Sequence, residues 1–234
     1  MRVVSWNMGC GMGSYRLQHA EAWGYLLDKL QPDVALLQET LLTPPSLASG
    51  RGRLIARGAF HGTKNWGSGV FLASPGVQEL LTDCEGVHIA AARGEMPGGA
   101  VNFVNLSVHA PARKSQLDAL RKLVGAVTKL AREGRLVVGG DFNAARLWDD
   151  AKHKTAYRPF FEAMAAAAFY DCTWRKNGRE QQSFWRDEGA LPLQDDHIFV
   201  NETWGAKVSQ CSVIDNAEVR RLSDHGPVLL VVDE

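Results

Sequence analysis

Short apolar runs rich in Val, Ile and Phe recur along the whole chain, and several follow one another with only turn residues between them. Runs of this length, bounded by turn chemistry, read as buried strands, because a helix needs a longer periodic segment to bury a face. Residues 2–6, 34–38, 53–60, 68–73, 86–92, 101–108, 136–140, 195–200, 206–213 and 228–232 read this way. Helical period is present over residues 16–30, 115–132 and 157–168. In the second of these, Leu117, Leu120, Leu123, Val124, Val127 and Leu130 form one stripe, with Ser115 placed as N-cap and Gly134 past the end. The run Ala165 to Ala168 favours helix, since alanine loses no side-chain entropy there. Residues 43–52 and 93–99 carry turn chemistry and read as surface loops. Strands outnumber helices and run consecutively. That argues against a doubly wound parallel sheet and for one mixed layered domain over residues 1–234, with two packed sheets and helices outside.

A chain of 234 residues can bury a substantial core. Lys plus Arg equals Asp plus Glu at 26 each, so no global positive field draws in a polyanion, and any such binding must come from a local patch. Cys10, Cys84, Cys172 and Cys211 form no CxxC pair, which argues against a zinc knuckle or disulfide framework and for free thiols. Residue 1 runs straight into a strand, with no signal-peptide pattern, and no apolar stretch reaches membrane-spanning length. The expectation is a cytoplasmic protein with no transmembrane segment and no obligate protein partner.

Polar groups sit at the ends of these strands, and that is how a sheet assembles a catalytic site. Asn7 follows Val3-Val4-Ser5-Trp6 and precedes Gly9, Gly11 and Gly13, which could let a phosphate or metal approach closely. Glu39 is the first charged residue after Val34 to Gln38, placed as a hard-cation ligand would be. His109 ends Val104 to Val108, beside a proline turn and the cations Arg113 and Lys114. Asp141-Phe142-Asn143 follows Leu136 to Gly140. In an extended chain the acid and the amide share a side, where one can take a proton from water and the other can hold that water. Asp195-Asp196-His197 opens the strand Ile198-Phe199-Val200, and alternation leaves open which acid faces the site. Asp224-His225 precedes Gly226-Pro227, and a carboxylate beside an imidazole can orient and charge it. Plainer readings stand beside these: a turn asparagine at Asn7, a solvated Glu39, a carbonyl-satisfied His109. Taken singly, only Asp141-Phe142-Asn143 favours chemistry. Together, the carboxylate-rich set points to a divalent metal and phosphate esters.

The segments Ser5-Trp6-Asn7, Pro32-Asp33-Val34 through Gln38-Glu39-Thr40, Gly69-Val70-Phe71-Leu72, Asn105 through His109, Gly140-Asp141-Phe142-Asn143, Asp196-His197-Ile198-Phe199 and Ser223-Asp224-His225-Gly226-Pro227-Val228 span almost the whole chain. In this order they resemble the endonuclease/exonuclease/phosphatase superfamily, the deoxyribonuclease I-like fold. The resemblance implies an α/β (α+β) four-layer sandwich, with two mixed β-sheets face to face and helices flanking them. It also implies that Glu39 ligates Mg²⁺ or Mn²⁺ with support from Asn7, and that Asp141 and Asn143 orient and activate water. His109 would contact the phosphate or assist the leaving group, Asp196 would be the site-facing acid, and Asp224 and His225 would polarise the phosphate. Departures exist: His197 stands where the family often has Tyr or Arg, and Gly9 where apurinic endonucleases have an acid. The long insertions of many phosphoinositide phosphatases are missing, as are the membrane-contact segments of many sphingomyelinases.

The leading reading is a divalent-metal-dependent phosphodiesterase, in first place a nuclease using in-line attack of an activated water. Lys64, Asn65, Arg113, Lys114 and Arg146 are candidate substrate contacts, and Trp66, Trp148 and the Phe184-Trp185 pair are candidates to stack bases. The alternative is a phosphomonoesterase or phospholipid-type phosphodiesterase, on an inositol phosphate or a sphingomyelin-like substrate, with the same site. A non-catalytic binding module ranks last, because Asn7, Glu39, Asp141, Asn143, Asp224 and His225 are all present.

Overall fold

β-Branched residues crowd the apolar runs, and their stiff side chains suit the pleated conformation. A computed structural model describes residues 1–10, 15–58, 65–74, 76–109, 112–152, 156–185 and 191–233. In chain order it contains β1 (Arg2–Asn7), α1 (His19–Gly24) continued by a π-helical turn (Tyr25–Leu30), β2 (Val34–Leu41), β3 (Arg53–Gly58), β4 (Trp66–Leu72), β5 (Val77–Leu80), β6 (Val87–Met96) and β7 (Gly99–Val108). Then come α2 (Arg113–Ala131), β8 (Arg135–Asp141), α3 (Arg146–Lys152), α4 (Arg158–Ala166), β9 (Phe169–Asp171), α5 (Cys172–Asn177), β10 (Asp196–Asn201), α6 (Glu202–Gly205), β11 (Val208–Val213), α7 (Ala217–Leu222) and β12 (Val228–Val232).

The strands form two six-stranded sheets, ordered β11-β12-β1-β2-β4-β3 and β5-β6-β7-β8-β10-β9. Each is mixed. β1 lies parallel to β2, and β7 parallel to β8, while the other pairs are antiparallel. A parallel pair needs a crossover, which α1 with its π turn supplies in one sheet and α2 in the other. This topology brings the C-terminal ends of β1, β2, β7 and β8 to the same rim as the N-terminal ends of β10 and β12.

Alternation along the strands then sets four layers. Val3, Leu36 and Val70 of one sheet meet Phe103, Val137 and Ile198 of the other in the central core. Val4, Trp6 and Leu37 point outward beneath Trp23 and Leu26 of the first crossover and Val219 and Leu222 of α7. Val104, Leu106, Val138 and Phe142 point outward beneath Leu120 and Leu123 of α2 and Phe160 and Met164 of α4. Each such fully buried large side chain contributes about 1.5–3 kcal/mol relative to leaving it in water. No described helix is long and apolar enough to cross a membrane.

Several local expectations change. Residues 93–99 are not a loop: β6 and β7 continue through them and pair Met96 with Gly99, leaving only Pro97-Gly98 as the turn. Ser115 is not the N-cap of α2. The helix starts two residues earlier, after an extended Ala112, and the Ser115 hydroxyl donates to the Ala112 carbonyl at 2.7 Å. The helix expected over 16–30 starts at His19 and loosens into the π turn, while α4 stops at Ala166. The two-strand edge elements β5 and β9, and the short helices α3, α5, α6 and α7, gave too few residues to show a period. Residues 59–60 of the third expected strand, Gly11, Gly13 and Lys64 lie outside the described residues.

Candidate active site at the shared rim

Below the rim, a polar layer ties the sheets together. Asn105 on β7 donates to the carbonyls of Leu37 and Gly69 at 2.6 and 3.0 Å, and its side-chain oxygen accepts from Gln38. Gln38 also donates to Ser5 at 3.3 Å. All of these groups are buried, so the hydrogen bonds between them fix how the two sheets meet.

Above this layer, β8 must deliver Asp141 at a close sheet–sheet approach. A side chain at Gly139 would press on Leu36 of the facing sheet at 2.7 Å. A Cβ at Gly140 would sit 1.9 Å from the Leu106 carbonyl, and its φ of +150° is one that L side chains rarely adopt. Gly140 therefore requires glycine, while a side chain at Gly139 would force Leu36 to shift. Asp141 emerges buried, and its Oδ2 accepts from Asn7 Nδ2 at 3.2 Å. The same amide nitrogen lies 3.4 Å from Glu39 Oε1. Asn7 Oδ1 is turned away and accepts from Gly9 N at 3.0 Å, so Asn7 bridges the two carboxylates through its nitrogen.

Glu39 reaches this point through a bulge. The β2–β4 register shifts between Leu37 and Thr40, and Glu39 adopts φ 47°, a left-handed conformation unusual for a non-glycine residue. His19 on α1 pins the bulge: its Nε2 accepts from Leu41 N at 3.2 Å and Trp23 Nε1 at 3.1 Å, with Thr40 Oγ1 at 3.1 Å. That nitrogen must be unprotonated, and burial pushes the imidazole down to about 4. Asn143 also takes a positive φ, 50°, so the chain is not extended after Asp141. Its backbone N–H donates to Asp141 Oδ1 at 3.0 Å, and its side-chain amide donates to the Val108 carbonyl at 3.2 Å.

The imidazole of His225 completes the cluster, and its partner differs from the one expected. Nδ1 donates to Asp196 Oδ2 at 2.8 Å, so the adjacent Asp224 is not the orienting acid. Neighbours in sequence point apart, whereas β10 and the segment entering β12 meet across the two sheets. Burial opposes the imidazolium, but the charge and hydrogen bond of Asp196, helped by Asp141 and Asp224, raise His225 to about 10. It is therefore a cation at neutral pH. Ser183 donates to Asp196 Oδ2 at 2.8 Å, and the Phe184 ring packs tilted against the imidazole with centroids 4.6 Å apart. Ser223 Oγ donates to the Asn7 carbonyl at 2.7 Å and accepts from His225 N at 3.0 Å, locking β1 to this turn.

Asp141 is pushed well up from the ordinary carboxylate range, first by burial and then by Asp196, Asp195 and Glu39, against the opposing charge of His225. Such an excess of carboxylate suits a cation. Among the described residues no three His, Cys, Asp or Glu side chains close into a metal cage. Glu39, with Asp141 opposite it across Asn7, instead offers a partial oxygen set. That fits Mg²⁺, which keeps several waters and is held by one or two carboxylates.

Beside Asn143 a cleft of about 290 Å³ opens between the residues after β7 and the approach to β10. His109, Arg113, Trp148, Tyr157, Phe184 and Asp195 are among its walls. Asp195 lines it from just before β10 begins, while Asp196 turns to His225 and His197 packs outward against Phe142, Phe161 and Phe199. Burial pushes Asp195 up to about 6, against the charge of His225.

The remaining expected contacts are scattered. Lys114 is exposed on the first turn of α2. Arg146 is committed elsewhere: it pairs with Asp171 at 2.6 Å and Glu180 at 3.5 Å and lies over Phe161 at 3.7 Å, so it supports the fold rather than the cluster. Trp185 also departs from expectation. It packs over Gly226 and under Arg220 on the outer face, and of the Phe184-Trp185 pair it is Phe184 that reaches the cleft. Asn65 accepts from Arg16 at 3.0 Å. Ser183 escaped the sequence reading, and Ser223, Gln38 and Asn105 stood only as members of matching segments with no role, because a single buried serine or amide carries no periodic signal.

The endonuclease/exonuclease/phosphatase family model matches residues 4–225. No curated protein matches the chain. Similar solved structures include the 3′-5′ exonuclease NExo from Neisseria meningitidis, 23% identical with a TM-score of 0.75 and 100% of each chain covered. An AP endonuclease from Archaeoglobus fulgidus is 17% identical, with a TM-score of 0.76 and 100% of each chain covered. Truncated TDP2 from Caenorhabditis elegans is 14% identical, with a TM-score of 0.73 over 100% of this chain and 97% of that one. At these identities the structural likeness shows the fold.

Proposed function

The chain belongs to the endonuclease/exonuclease/phosphatase family, and from that membership we propose that it is a Mg²⁺-dependent phosphodiesterase acting on nucleic acid. The observation that carries this reading is the meeting of Asp141 with Asn7 and Glu39 on one side and the Asp196–His225 pair on the other. Asp141, its buried carboxylate held by Asn7, is placed to take the proton of a water attacking phosphorus in line. The backbone N–H of Asn143 holds the opposite carboxylate oxygen of Asp141, fixing its lone pairs toward that water. His225, charged and locked by Asp196, presents Nε2–H to a non-bridging oxygen and stabilises charge that grows there in the transition state. Asp224 supports that charge from the preceding position. His109, exposed at the cleft, is placed to donate to the phosphate or the leaving oxygen. Mg²⁺ held by Glu39, with Asn7 orienting the carboxylate, would neutralise phosphate charge.

Arg113 at the cleft and Lys114 beside it give the local positive patch that a neutral chain needs. The test is a panel: supercoiled plasmid, abasic duplex, single strands, a 3′-phosphorylated hairpin and an inositol phosphate, each with Mg²⁺ and with Glu39→Ala as control. Cleavage of nucleic acid by the wild type alone supports the reading. Phosphate release from the inositol phosphate, with every nucleic acid left intact, contradicts it.

A further inference from the structure

The polar side chains of the cleft beside Asn143 are largely tied to one another. Tyr157 donates to Gln116 Oε1 at 3.2 Å, Gln116 donates to the Asn143 carbonyl, and the Arg113 guanidinium lies 4.6 Å over Trp148. His109 and Asp195 are the exceptions, and of the two only Asp195 is buried. It is 8% exposed and lines the cleft, yet its carboxylate makes no hydrogen bond among the described residues. Its backbone is fully engaged, with N donating to Ser183 Oγ at 3.0 Å and the carbonyl accepting from Phe142 N at 2.9 Å. The side chain is thus held facing the cleft by contacts that do not use it. Its oxygens face the cleft with no partner from the described protein, so a ligand that fills the cleft and shuts out water must bring a donor or leave the carboxylate unpaired.

The same cleft is small and flanked by aromatic rings. Phe184 forms one wall and also packs against His225, so a group filling the cleft lies next to a phosphate held by His225. A volume of about 290 Å³ takes one nucleoside-sized group rather than a duplex.

We propose that Asp195 is the specificity-determining residue of this site: it accepts a hydrogen bond from an N–H or O–H of the nucleoside attached to the scissile phosphate. The proposal rests on the nuclease reading above and adds to it a preference for a donor-bearing nucleoside in the cleft. The donor has two sources of one chemistry, a base amino group or a sugar hydroxyl. A site built to hydrogen-bond its substrate rejects the isostere lacking that group strongly, because its own buried acceptor is then left unpaired.

The experiment uses short oligonucleotides with one cleavable linkage, flanked by adenine or by purine without the amino group, and by ribose or by its 2′-O-methyl form. Wild type, Asp195→Asn and Asp195→Leu are compared by kcat/KM, with thermal melting as the fold check. Wild type is expected to favour the donor-bearing member of one pair by tenfold or more, with the pair identifying base or sugar as the source. Asp195→Leu is expected to lose that preference while melting no lower than wild type, and Asp195→Asn to fall between. Should Asp195→Leu fail to fold, Asp195→Asn decides alone: it must cut the preference at least threefold. Equal rates on both members in wild type, or a preference that survives substitution, overturns the assignment but leaves the nuclease reading standing. No cleavage by wild type of any of them sinks both.

Discussion

At the scale of single residues, charge at the rim is set by partners rather than by side-chain type. His225 is raised from 6.5 to about 10 in the folded protein, so its contribution to stability is fully present below about pH 6.5 and is lost as pH rises through 10. Asp196→Asn removes the partner. The wild-type urea midpoint should therefore fall more between pH 7 and 10.5 than that of the variant; parallel curves would contradict the pairing. His19 has the opposite sign. Its imidazole is lowered to about 4, so its neutral-form stability is present above 6.5 and disappears as pH falls toward 4. His19→Gln, measured by thermal melts from pH 7 to 4, should show a shallower acid loss than wild type. The sequence made Asp141 legible, because two glycines before an acid at a strand end serve a specific geometry. It did not make the partner of His225 legible, because Asp196 lies 29 residues away on the other sheet.

Among the elements, β8 carries the tightest constraint. Gly140→Ala would drive a methyl into the Leu106 carbonyl at a φ of +150°, and should cost at least about 2 kcal/mol in denaturant unfolding. An unchanged midpoint would mean that β7 and β8 can separate at the rim, against the pairing of Leu106 with Gly140. Long strands were readable because Val, Ile and Phe repeat within them, and α2 because its stripe runs over about four turns, from Leu117 to Leu130. β5 and β9 were not: Val77–Leu80 has no buried face of its own, and Phe169–Asp171 is three residues long. The bulge at Glu39 was equally silent, since nothing in Gln38-Glu39-Thr40 marks a left-handed residue and the distant His19 helps to hold it there.

Over the whole molecule, two sheets with unrelated strand sequences converge their polar ends at one edge. The four layers were legible from the order of strands and helices, whereas the cleft was not, since Phe184, Asp195 and Arg113 meet there from separate segments. With Lys plus Arg and Asp plus Glu balanced at 26 each, binding to nucleic acid must rest on two or three phosphate contacts near Arg113 and Lys114. The log–log salt dependence of KM should then have a slope of only about 2, and a slope several times steeper would show a wider basic surface at work. The central claim is that Asp141, set between Glu39, Asn7 and His225, activates water against a phosphodiester. Its most direct test is the single-turnover cleavage rate of a labelled DNA strand in Mg²⁺ by wild type and by Asp141→Asn, both confirmed folded. The account predicts a loss of about a hundredfold or more in the variant, the scale of a lost general base. A variant that cleaves at the wild-type rate would contradict it.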